Sequence, residues 1–105
     1  MMNFKRYPHV KDLLSYYAQD LGNQKVTKIL DTGVSNEHDA EALSYFIWKM
    51  ADKMSEDSNK GKSVLGRTSN SDMLPDVEYE ITGYLVEKGF LNIWDRISDA
   101  ENPDN

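Results

Sequence analysis

Gly61-Lys62-Ser63 is where this chain comes nearest to a phosphate-gripping loop. In such a loop glycines let backbone N–H groups cradle the phosphates. The lysine reaches the terminal oxygens, and the hydroxyl ligates magnesium. The motif also needs a glycine five positions earlier, and that position holds Glu56, whose charge would repel phosphate. A strand should lead into the loop and a helix should follow it. Here an amphipathic pattern of helical period leads in, and more Gly, Ser, Thr and Asn follows. Nucleotide binding is therefore not expected. The segment reads as a linker, with Lys60, Lys62 and Arg67 as an anion-contact arm in the alternative reading.

A second cluster is Glu37-His38-Asp39 with Glu41. His38 and Glu41 stand three apart and share a helical face, which supplies two metal ligands at most. A zinc-protease helix would need Glu at 38 and His at 41, and both positions differ. The remaining histidine is His9, no Gly-x-Ser-x-Gly elbow occurs, and no pair of carboxylates is singled out as acid and base. Cysteine is absent, which removes thiolate chemistry, cysteine-ligated zinc and disulfides. These residues predict neither an enzyme nor a resident metal or cofactor.

Charge narrows the partners. The 105 residues carry a formal net charge of −6. Residues 73–105 hold eight acidic and two basic side chains, whereas residues 59–72 hold three basic and one acidic. Phosphate-backbone binding needs clustered Lys and Arg, so nucleic acid is not an expected partner. An acidic surface favours solubility and basic partners. No apolar run approaches the roughly 18 residues of a membrane span, so no membrane contact is expected. The opening "MMNFKRYPHVKDLL" lacks the apolar core of a secretion signal, and a cytoplasmic protein is the expectation.

These residues must be positioned by helices. Val10, Leu13, Leu14, Tyr17 and Leu21 recur at helical spacing over 9–21, with Pro8 in the first turn and Gly22 as a stop. Val26, Ile29 and Leu30 predict a short second helix that Gly33 ends in a left-handed conformation. Residues 36–57 form the strongest pattern. Ser35 or Asn36 caps it, Glu37, Asp39 and Glu41 suit the positive end of the helix dipole, and Ala40, Leu43, Phe46, Ile47, Met50, Ala51 and Met54 line one broad face. Residues 58–72 contain only Val64 and Leu65 as apolar side chains and predict a mobile loop.

Residues 73–98 admit two patterns. Val77, Ile81, Tyr84 and Leu85 make a helical stripe, Gly89 caps it, Phe90 folds back on its last turn, and "FLNIWDRIS" gives a final short helix. In the other pattern Val77, Tyr79 and Ile81 alternate with glutamates, and "YLV-EKG-FLNIW" forms a hairpin. The helical pattern is preferred. "YEITGYLVEKGFLNIW" also resembles a recognition helix followed by a wing strand, as in winged-helix regulators. That resemblance implies DNA binding, yet Glu78, Glu80 and Glu87 stand against Lys88 where direct readout wants Arg, Lys, Asn or Gln.

Residues 1–105 are thus expected to form a single mainly α-helical domain of four or five helices, with a short C-terminal β-hairpin as the alternative ending and a frayed tail at 100–105. Its most distinctive surface is the back of the long helix. Tyr45 and Trp48 fall opposite the core stripe, among Glu41, Asp52, His38 and Lys49. Aromatics inside a charged rim are typical interface anchors. The expected function is that of a small acidic interaction protein, an inhibitor, immunity-type factor or adaptor, binding a protein partner or a second copy through Tyr45, Trp48, Glu41 and Asp52. A second layer packed on that back is the competing expectation.

Overall fold

The computed structural model describes residues 2–62 and 73–90. Four helices form: α1 His9–Asp20, α2 Gln24–Thr32, α3 Glu37–Asn59 and α4 Leu74–Lys88. No strand occurs among the described residues. The preferred helical pattern therefore holds through Lys88, and Tyr84–Val86, the first strand of the alternative hairpin, belong to α4. The final short helix and the far strand of that hairpin lie outside the described residues.

Local chemistry explains each boundary. Asn23 and Asn36 both cap helices by accepting from the third helical N–H, of Val26 and Asp39 respectively. α1 ends in a Schellman turn at Gly22, where the N–H of Asn23 donates to the Ala18 carbonyl. The chain leaves helical geometry at Leu21, so Leu21 drops out of its expected stripe and is exposed. Gly33 has φ +88° but ψ 170°, an extended mirror-image conformation rather than the left-handed turn expected there. α4 closes at Gly89 in the left-handed region, and the N–H of Phe90 donates to the Leu85 carbonyl while the Phe90 ring packs on the core.

The core is one cluster drawn from all four helices and from the N-terminal segment, including Met2, Phe4, Leu13, Tyr17, Ile29, Phe46, Met50 and Ile81. α1 packs against α2 and α4, and α2 against α3. Residues 2–7 run as a strap between α2 and α4. The N–H of Met2 donates to Leu30, and the N–H groups of Arg6 and Tyr7 donate to one oxygen of Glu80 at 3.0 and 2.8 Å. Tyr17 donates to Asp57, only 1% exposed, at 2.9 Å, which pins α1 to the far end of α3. Lys53 Nζ lies 3.7 Å from the same carboxylate. A buried carboxylate so partnered avoids the cost of an isolated charge.

Candidate functional site

The glycine of Gly61-Lys62-Ser63 serves a helix end. α3 runs two residues further than expected, through Ser58 and Asn59, so the predicted mobile loop does not begin at residue 58. The Glu56–Lys60 pair at 2.8 Å supports that last turn with the favourable i, i+4 polarity. The hydrogen bond between them favours both charged forms, holding the Glu56 carboxyl below its ordinary pKa and the Lys60 ammonium above its own. Gly61 then adopts φ +70°, and the N–H of Lys62 donates back to the Asp57 carbonyl. A helix C-terminus presents carbonyl oxygens and the negative end of the dipole, the opposite of a phosphate cradle. Lys62 Nζ lies 5.5 Å from the Tyr16 ring centroid, and a hydrogen bond with Tyr16 raises its pKa. The rest of the expected mobile loop, residues 63–72, lies outside the described residues.

The acidic cluster at 37–41 is likewise spent on a helix start. Asp39 accepts from the Ser35 N–H at 3.1 Å and the Ser35 hydroxyl at 2.9 Å, and pairs with Lys25 at 3.2 Å. The Ser35 backbone bond above all, with its hydroxyl and Lys25, holds the Asp39 carboxyl below the usual range. His38 and Glu37 are exposed. Among the described residues no three His, Cys, Asp or Glu side chains converge as metal ligands.

On the back of α3 the expected residues separate. Tyr45 is 44% exposed and Asp52 is exposed, whereas Glu41 and Trp48 are half-buried. Trp48 packs against the margin of the core, so only part of its ring reaches solvent. Tyr45 thus forms an aromatic spot in a mixed charged rim of Glu41, Asp52 and the exposed Lys49, and Trp48 supports its edge.

Sequence reasoning missed a second surface, on α4. Tyr79 and Val86 are 54% and 52% exposed. Tyr7 meets the Tyr79 ring edge-on at 5.6 Å, and the Arg6 guanidinium lies over both rings, 5.7 Å from the Tyr7 centroid and 5.4 Å from that of Tyr79. Tyr7 first, and then Tyr79, raise the Arg6 pKa through hydrogen bonds. His9 Nε2 contacts Asp76 Oδ2 at 2.9 Å and joins the starts of α1 and α4. Glu80, read in sequence as a surface acid of a recognition helix, is instead 8% exposed and holds the strap. The signal for this surface was a second stripe, Tyr79-Gly83-Val86 at i, i+4, i+7. It was hidden because the Tyr79–Glu80 alternation also fits a strand.

No helix among the described residues is long and apolar enough to cross a membrane. Comparison with family models, curated proteins and solved structures gives no match to this chain.

Proposed function

We propose that this chain is a small acidic, non-enzymatic interaction protein, acting as an inhibitor, immunity-type factor or adaptor through protein–protein contacts. One observation carries the reading: on the longest helix, Tyr45 stands 44% exposed beside the acidic side chains Glu41 and Asp52. Tyrosine supplies a large contact area at low conformational cost, and it is enriched among the residues that dominate binding energy. The net charge of −6 favours a partner with a basic face.

The alternative, a winged-helix-like DNA-binding regulator, would use α4 as its reading helix. The outward side of α4 bears Glu78 and Glu87, and its Lys88 lies over the Tyr84 ring at 5.7 Å. With only Lys5 and Arg6 beside these acids among the described residues, the face lacks the clustered cations that a phosphate backbone needs, so protein contact is the reading adopted.

The test is affinity capture from the source cell with the wild-type chain and Tyr45→Ala as paired baits. A basic protein should be held by the wild type and reduced about tenfold or more by the substitution, as an anchor contributing roughly 2 kcal/mol requires. Identical capture by both baits would overturn the assignment to α3. Salt-sensitive affinity for random duplex DNA would favour the regulator instead.

A further inference from the structure

α4 has two apolar faces, and the described residues cover one of them. Val77, Ile81 and Leu85 are fully buried. Tyr79 and Val86, about 10 Å apart along the axis, stand more than half exposed on the opposite side. Between them lies Gly83, and glycine is a poor residue for a helix interior. Among the described residues a Cβ added at Gly83 would meet nothing within 4 Å, so their packing does not require the glycine. Tyr79, Gly83 and Val86 recur at the i, i+4, i+7 spacing of a helix–helix seam, with its smallest residue in the middle.

Charge identifies what fits this seam. The Arg6 guanidinium sits at the Tyr79 end, over the Tyr79 ring. Glu87 follows Val86 at the other end, and both charged residues line one shallow groove with Gly83 and a second exposed cation, Lys5. Neither takes part in an ion pair among the described residues. A seam with a cation at one end and an anion at the other, on the same flank, is complementary to itself in antiparallel order. A two-fold axis perpendicular to the helices and lying in the plane of the contact brings like flanks together and reverses their direction. Each Tyr79 then packs on the other copy's Val86, the helices approach closest near Gly83, and each Arg6 meets the other copy's Glu87. Parallel pairing would put the two charged flanks on opposite sides of the seam, where neither Arg6 nor Glu87 meets its counterpart.

We propose that the outward face of α4, with Arg6 from the strap, is an isologous homodimer interface that pairs two copies antiparallel about Gly83. The contact is small, so it forms a weak, concentration-dependent dimer. It uses a different helix from the partner-binding spot on α3 and stands independently of that reading.

Sedimentation velocity of the full chain across the micromolar range tests it. The wild type should show a reversible monomer–dimer equilibrium. Glu87→Arg should weaken association by about tenfold or more, because like charges would then face each other, and adding Arg6→Glu in the same chain should restore it. Val86→Asp should abolish the dimer with little change in the melting temperature, which keeps the test decisive if the double reversal disturbs the strap. Gly83→Ala should raise the melting temperature of the monomer and still weaken the dimer. Tyr45→Ala should leave the dimer intact. A wild type that remains monomeric throughout, a dimer indifferent to Val86→Asp, or one lost with Tyr45→Ala would overturn the proposal.

Discussion

The outer faces of α3 and α4 carry similar residues and meet opposite fates. Each presents two large side chains away from its core stripe, Tyr45 and Trp48 on α3, Tyr79 and Val86 on α4. On α3 the second of these is drawn half under, because Trp48 lies nearer the edge of a broad stripe that runs from Ala40 to Met54. On α4 both residues lie well away from Val77, Ile81 and Leu85 and stay exposed. The lesson is angular. On a helix with a wide apolar face, a large aromatic near the margin becomes part of the core, whereas one directly opposite remains available for contact.

Three further substitutions break or sharpen that comparison. The largest effect belongs to a residue that looks like surface. Glu80→Ala removes the acceptor of two strap N–H groups, and stability should fall by about 2–4 kcal/mol as those donors lose their partner. Hydrogen exchange at Arg6 and Tyr7 should accelerate more than exchange in α3. An unchanged exchange rate would mean that the strap is held by Met2 and Phe4 alone.

Trp48→Ala comes next. Truncating a fully buried tryptophan costs roughly 3–5 kcal/mol, so a half-buried one should cost about 2 kcal/mol, while Tyr45→Ala should stay within about 0.5 kcal/mol. Urea melts of the two single variants check the difference. Equal losses would refute the division of the α3 face into a supporting and a contacting residue.

The smallest effect is at the start of α3. Asp39→Ala should cost about 1 kcal/mol near neutral pH, since it removes the acceptor for Ser35. The Asp39 carboxyl is held below its ordinary pKa, so its stabilisation is fully present above the unfolded-state value and disappears as pH falls through the lower folded value. The gap between wild type and variant should therefore narrow on acidification below the usual carboxylate range. A gap that stays constant with pH would show that the ionised form of Asp39 contributes nothing.

Periodicity, capping residues and composition determined four helices and most of their inward stripes, because those signals are local: Asn36 three residues ahead of Asp39, Gly89 followed by Phe90, Leu43 to Met54 on one face. Charge counting determined an acidic chain with a net charge of −6. What only the tertiary structure decided involves partners far apart in sequence. Glu80 becomes buried because the backbone of Arg6 and Tyr7, more than seventy residues away, brings two N–H donors to it. Asp57 is tolerated inside because Tyr17, forty residues away, donates to it. Arg6 and Glu87 flank one groove only once the strap lies along α4. A helical wheel ranks faces by their own apolar content and contains no term for what the rest of the chain lays against them. Long-range hydrogen bonds and the path of a six-residue strap therefore settled which polar residues turned inward and which apolar ones remained outside.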